Sequence, residues 1–306
     1  MRDISVVICT HNGAKTINRA IQSLIKQSLP QNTFEILIID NASTDNTEAV
    51  VRRLNDVKNL RYFFEPKLGL SNARNKGWMN AEGKYVAYLD DDAIAGPDWL
   101  ERILNAFLSV PTAGAVGGKV DPVWEVAPPP WVNDLLKRFL SLLDWSETPV
   151  VLDDRQYLVG TNICFPRMIL DKYSGFPADL GRKGKTLISN EEIELIKKIK
   201  KDNYAVYYDP RIRVEHIINS SRLKPNWFRR RFFSQGISDA ILYQRTEHPS
   251  TIKKISYAIR ILLYILTKPQ KLFFASYPSL FPAALPGCHQ HIIMLGFLYG
   301  LFRTEN

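Results

Sequence analysis

The sequence predicts an α/β fold, a mostly parallel sheet with helices on both faces, followed by a helical tail of a different character. Two observations carry the first part. Short apolar runs alternate with amphipathic stretches of helical period, and three of those runs stop abruptly at polar residues. Strands and helices alternating at this spacing imply parallel strands joined by helical crossovers. A third observation carries the tail: the last quarter of the chain is basic and apolar and nearly free of acidic residues.

Taken in order, residues 5–9 form a buried strand, and residues 15–28 follow as a helix with Ile17, Ala20, Ile21, Leu24 and Ile25 on one face. Residues 34–39 make a second strand ending at Asp40. Ser43 or Thr44 is placed to cap a helix through Val50, Val51 and Leu54. A short strand at 61–64 and a helix at 71–81 come next, then an apolar strand at 85–89 that stops at three aspartates. Pro97 opens another helix through Phe107, because proline is favourable in a first turn. Beyond Val120 the pattern loosens. Residues 123–131, with Pro128, Pro129 and Pro130, read as an irregular loop, and 157–165 as strand-like. Helices are expected at 168–173 and 190–201, the latter with Ile193, Ile196 and Ile199 inward, and a strand at 204–208.

At 306 residues and 45% hydrophobic, the chain can bury a sizeable core, which excludes a disordered protein. Its three cysteines, Cys9, Cys164 and Cys288, form no CxxC pair. They indicate neither a disulfide framework nor a zinc site, and a reducing compartment is expected. Met1, Arg2 and Asp3 lead straight into the first strand, so no leader peptide is expected. The net charge of +9 is unevenly held. After Ser220 there are 12 Lys/Arg against 3 Asp/Glu, so the first 220 residues are neutral as a whole. Such asymmetry points to a polyanionic surface, lipid or nucleic acid.

Ligands of open parallel sheets bind at the carboxyl ends of strands. Three ends here are polar: Thr10-His11-Asn12, residues 40–45 (Asp-Asn-Ala-Ser-Thr-Asp) and Asp90-Asp91-Asp92. A dinucleotide-binding turn would need G-x-G-x-x-G after the first strand, and residues 10–16 supply only Gly13; a P-loop is equally absent. Phosphate is therefore to be handled without a glycine cradle. Adjacent carboxylates about 5 Å apart repel by roughly 3 kcal/mol per pair at an effective dielectric of about 20. A divalent cation relieves that repulsion and can in turn bridge a diphosphate.

In its motifs the chain resembles glycosyltransferase family 2, the inverting transferases of GT-A fold. The likeness runs through V-V-I-C-T-H-N at 6–12, I-I-D-N-A-S-T-D at 38–45, G-L-S-N-A-R-N at 69–75 and Y-L-D-D-D at 88–92. It continues through G-T-N-I-C-F at 160–165, E-E-x-E-L at 191–195 and D-P-x-x-x-V-x-H at 209–216, covering about residues 3–220. The resemblance implies a sugar moved from a nucleotide diphosphate sugar, a UDP-sugar foremost, to a hydroxyl of a glycan or glycolipid in cell-surface or extracellular polysaccharide synthesis. Thr10, Asn12 and Asp40 then hold base and ribose, and Arg74, Asp90 and Asp91 lie near the ribose, diphosphate or sugar. Asp92 and His216 ligate the metal, with Mn2+ favoured over Mg2+ by mixed carboxylate and imidazole ligands. Where the family has Glu-Asp this chain has Glu191-Glu192. Glu192 takes the place of the catalytic base and Glu191 supports it or binds the acceptor, since neighbours on a helix point about 100° apart. Trp124 and Trp131 are candidates to stack on an acceptor sugar. The expected division is a catalytic domain at 1–220, with a nucleotide-sugar half at about 1–120 and an acceptor half at about 121–220, and a tail at 221–306.

Two rival readings fit less of the chain. An aspartate-based phosphotransferase of the haloacid-dehalogenase type would use Asp90 and Asp92, but its motif belongs at the first strand and Ile94 breaks its pattern. A nucleic-acid-binding protein would use the aromatic and arginine residues at 227–233, but would leave the acidic strand ends without a purpose. In the tail, residues 272–302 carry no charged side chain, yet Pro278, Pro282 and Pro286 divide them into pieces too short to span a bilayer comfortably. A peripheral anchor on an anionic membrane surface, at its cytoplasmic face, is expected, with no nucleic-acid partner.

Overall fold

The computed structural model describes residues 2–303. Four parallel strands start the sheet: β1 (Ile4–Thr10), β2 (Phe34–Asp40), β3 (Leu60–Phe64) and β4 (Tyr85–Asp90), in the spatial order β3-β2-β1-β4. The crossovers are α1 (Ile17–Ile25), α2 (Thr47–Arg52) and α3 (Leu70–Met79). In α1 the residues Ile17, Ala20, Ile21 and Leu24 are all buried, one turn above another, as their spacing predicts. Within the fully buried β2, Glu35 is made tolerable by four donors: the Ser5 hydroxyl, the Glu82 amide, Arg2 and Arg61. Burial alone would raise its carboxyl, but those partners hold it below the usual range.

From there the sheet turns antiparallel. After β5 (Ala93–Ala95) and α4 (Trp99–Ser109) come β6 (Ala113–Trp124), α5 (Asp134–Lys137), β7 (Val150–Val151), β8 (Asn162–Pro166), α6 (Arg167–Tyr173), α7 (Glu191–Lys201) and β9 (Ala205–Ile218). β8 runs antiparallel to β4 and to β6, and β5 and β7 each run antiparallel to β9. Buried Asn162 pins this half by accepting from Trp99 Nε1 (2.9 Å) and donating to the carbonyls of Lys119 (3.1 Å) and Ile212 (2.8 Å).

Several elements differ from the expectation, each for a local reason. β6 is a strand that the sequence reading did not assign; its opening Ala-Gly-Ala-Val-Gly-Gly carries little side-chain signal. β9 runs on to Ile218 instead of stopping at Tyr208, because the Asp209 carboxylate accepts from the Arg211 amide (2.9 Å) and pairs with its guanidinium (2.7 Å), carrying the strand past Pro210. β8 starts at Asn162, not 157. α2 starts at Thr47, whose amide donates to Asp45 (3.0 Å), so neither Ser43 nor Thr44 caps it. In α7, Glu194 is buried and Ile193 only half-buried, with Glu194 paired to Lys198 at 2.8 Å.

The chain forms two compact units. The first takes residues up to 123, 141–179 and 191–217; the second takes 124–140, 180–190 and 218 onward. Segments 124–140 and 180–190 thus join the tail helices. In the second unit follow α8 (Pro225–Glu247), α9 (Thr251–Leu266), α10 (Pro269–Ser276) and α11 (Leu285–Phe302). Asn190 and Gln235 both donate to Asp239 (2.9 and 2.8 Å), and Ser238 accepts from the Ser189 amide, fastening 180–190 to α8. α8 and α11 meet backbone to backbone: a methyl group at Gly236 would overlap Ile293 O, and one at Gly296 would overlap Phe233 O. Pro286 lies in the first turn of α11 and leaves that helix whole. No helix among the described residues is long and apolar enough to cross a membrane.

Candidate active site

The site is built in the first unit where β1, β2 and β4 end. β4 delivers Asp90, and the chain continues through Asp91 and Asp92 into β5. The pairing of β5 with β9 sets Ala93 opposite His216, and the Ile217 amide donates to Asp92 O (2.9 Å). Register alone therefore brings Asp92 and His216, 124 positions apart in sequence, to 3.2 Å between Oδ1 and Nε2. Donor atoms of Asp90, Asp92 and His216 all lie within 4.8 Å of one another. Two carboxylates and an imidazole that close form a donor set suited to a divalent cation, and the buried imidazole adds no charge when neutral.

Behind this triangle stands Arg74 of α3, almost completely buried. Its guanidinium is 2.7 Å from Glu191, 3.9 Å from Asp90 and 4.0 Å from Glu192. It also lies over the rings of Phe176 (5.4 Å) and Tyr88 (5.8 Å). Burial works against its charge, but Glu191, Glu192 and Asp90 outweigh burial and push its pKa up. Desolvation pushes the half-buried Cys9 thiol up, opposed by Arg74 and reinforced by Asp90, Asp91 and Glu191.

The neighbouring glutamates open α7 with different partners. Glu191 is buried and held by Arg74. Glu192 keeps 13% of its side chain exposed and accepts the Gly160 amide at Oε1 (3.3 Å); Oε2 accepts no hydrogen bond. Anionic side chains in a first turn are favoured by the helix dipole.

The candidates expected at the nucleotide end are present but turned on one another. Thr10 Oγ1 donates to Asp91 Oδ2 (2.5 Å). Asn12, in the left-handed region at φ 59°, accepts with its side-chain oxygen from the amides of Thr44 (2.8 Å) and Asp45 (3.2 Å), tying the loop after β1 to the loop after β2. Buried Asp40 accepts from the Ser43 amide (2.9 Å) and the Tyr62 hydroxyl (2.8 Å). Burial and that carboxylate push the Tyr62 pKa up, so its hydroxyl remains a donor. Trp124 and Trp131 belong to the second unit, where Trp131 packs edge-on against Phe228 with ring centres 5.5 Å apart.

Two contributors were not singled out by the sequence. Thr161 is buried and donates to Asp90 Oδ2 (2.6 Å), fixing one corner of the triangle. Gly160 offers its amide to Glu192 and has no room for a side chain, since a Cβ there would overlap the Arg74 guanidinium. Both open the G-T-N-I-C-F segment, which was the available signal.

This fold, with acidic strand ends facing an arginine and a paired glutamate, defines a glycosyltransferase of GT-A architecture. Residues 5–173, more than half of the chain, match glycosyl transferase family 2, and the protein belongs to that family. Over 275 residues it is 26% identical to a glucosyl-dolichyl phosphate glucuronosyltransferase of Haloferax volcanii, covering 88% of this chain and 86% of that protein. Over 138 residues it is 33% identical to a validoxylamine A glucosyltransferase of Streptomyces hygroscopicus subsp. jinggangensis, 44% of this chain and 33% of that one. Among solved structures, the mannosyltransferase PcManGT from Pyrobaculum calidifontis, in complex with GDP-Man and Mn2+, is similar with a TM-score of 0.63 at 20% identity, over 100% of this chain and 89% of that one. TarS 1-349 of S. aureus in complex with UDP gives 0.55 at 17% identity, over 98% and 90%. At these identities the two structures speak for the fold alone.

Proposed function

We propose that the chain is an inverting, divalent-metal-dependent hexosyltransferase. In this reading it moves a sugar from a nucleotide diphosphate sugar, a UDP-sugar foremost, to a hydroxyl of a glycan or glycolipid in cell-surface polysaccharide or glycolipid synthesis. The observation that carries this is the donor triangle of Asp90, Asp92 and His216, whose Asp90 lies 3.9 Å from the Arg74 guanidinium that also approaches Glu192 at 4.0 Å. When bound there, Mn2+ rather than Mg2+ in our reading, the cation supplies Lewis-acid stabilisation of a departing diphosphate.

The chain's own groups divide the remaining work. Glu192 takes the proton from the acceptor hydroxyl as its oxygen attacks the anomeric carbon, and the bond from that carbon to the diphosphate breaks on the opposite face. The Gly160 amide orients Glu192, whose side chain is 13% exposed against 4% for Glu191 and is the more reachable of the two. Arg74 pairs with Glu191 and adds positive charge toward Asp90. Asp40 has acceptor capacity left for a ribose hydroxyl or a base N–H beyond its two present donors, and Thr10, Asn12 and Asp91 shape the floor beside it. Trp124 and Trp131 are assigned to the acceptor. A lipid-linked acceptor agrees with the name of the Haloferax relative, and the exposed apolar helices of the second unit agree with a peripheral place on the cytoplasmic face of an anionic membrane.

The test is a donor screen with purified full-length protein. Hydrolysis of UDP-, GDP- and dTDP-sugars is followed with Mn2+, with Mg2+ and with excess EDTA. One nucleotide should stand out in Mn2+, chelation should abolish turnover, and Asp92→Ala should remove it while the circular dichroism stays native. Undiminished turnover in EDTA would sink the metal assignment.

A further inference from the structure

Within the second unit, α8, α10 and α11 and the segment 185–188 line an open cleft of about 600 Å³. That is the size range of small-ligand sites. Its walls are apolar, with Ile237, Leu272, Ile292 and Leu295 among them. Four cations also line it, Lys185, Arg229, Arg230 and Arg303, and among the described residues no carboxylate does. Arg229 and Arg230 are exposed, so their guanidinium groups meet water and an incoming head group together. Leu295 and Tyr299 are exposed as well, although an unused core gap would have closed over them.

We infer that this cleft binds one molecule of a long-chain lipid phosphate, with its hydrocarbon chain between α8, α10 and α11 and its phosphate on the arginines. The charge pattern selects the head group. A phosphate monoester carries nearly two negative charges near neutral pH and three acceptor oxygens, which suits several guanidinium groups at once. A neutral lipid would leave those cations without a partner, and a free phosphate would leave the apolar wall wet. The inference concerns the second unit by itself and does not rest on the transferase reading.

Isothermal titration of the full-length protein with dodecyl phosphate below its micelle concentration tests it, with dodecanol and inorganic phosphate as the other arms. Expected is saturable binding of one dodecyl phosphate per chain, at least about tenfold tighter than either other probe. Changing both Arg229→Gln and Arg230→Gln alters exposed side chains only and should weaken it about tenfold or more. Leu295→Trp should fill the slot and weaken it likewise; if that chain misfolds by circular dichroism, Ser276→Phe narrows the same cleft. Equal affinity for dodecanol, equal affinity for inorganic phosphate, or indifference to the arginine changes would each overturn the inference.

Discussion

Glu191 and Glu192 lie side by side in the sequence and about 100° apart around α7, and the structure gives them unlike surroundings. The buried one faces Arg74, and the partly exposed one hangs from the Gly160 amide. Glu192→Gln should therefore lower transfer by about 10²–10⁴-fold, the usual worth of a general base, with donor binding and folding retained. Arg74→Leu should behave in the opposite way. It leaves a buried carboxylate without its counter-charge, so urea denaturation should show a loss of about 3–5 kcal/mol. If Glu191→Gln harms transfer more than Glu192→Gln, the roles are exchanged. At this scale the sequence pointed to Asp90, Asp91 and Asp92 because carboxylates next to an apolar strand are conspicuous, and to Arg74, Glu191 and Glu192 only through the family motifs. It did not show Gly160 or Thr161, whose contributions are a backbone amide, an absence of side chain and a hydroxyl contact formed across 71 positions.

Element by element, most of the parallel half was legible because β1, β2 and the middle of β4 are buried apolar runs and α1 has one apolar stripe. The antiparallel half was not, since β6 opens with small residues and β9 passes through a proline that a local side-chain cap makes harmless. α11 has its own consequence for pH. His291 is fully buried there, and neither ring nitrogen has a hydrogen-bond partner. Burial first, then Lys271, Lys268 and His289, push its pKa down, and burial likewise lowers that of His289. The folded state thus holds these rings neutral while the unfolded chain takes up protons below about pH 6.5. Their contribution is complete above that pH and is lost as pH falls toward the depressed folded values. Melting followed by circular dichroism should drop between about pH 7.5 and about pH 5.5, and His291→Leu should flatten the drop. A slope unchanged in that variant would assign the effect elsewhere.

On the scale of the whole molecule, the excess charge and the excess apolar surface coincide in sequence. All of the +9 lies after Ser220. Of the 21 large apolar side chains exposed among the described residues, 15 fall from Ile252 onward, and Leu262, Leu263 and Leu266 of α9 are three of them. The tail's composition was plain in the sequence; that α9 turns so much of it outward was not, because 16 residues apolar on most faces do not say which face is covered. The full-length protein should sediment with anionic vesicles and less so at high salt, where exposed charges are screened within about 8–10 Å. Apolar insertion should keep part of the binding, and changing Leu262, Leu263 and Leu266 to Ser should remove that salt-resistant part. A protein that ignores such vesicles at low salt, or one that resists carbonate extraction as a spanning protein does, would refute the peripheral arrangement. The glycine contact between α8 and α11 bears on what such a landing does. At Gly236 and Gly296 the two helices approach main chain to main chain, with no side chain between them at those points to yield, so sliding one along the other there would first require lifting it away. A membrane load on the outer face of α9 is therefore met, at those glycine positions, by two helices that cannot shear past each other.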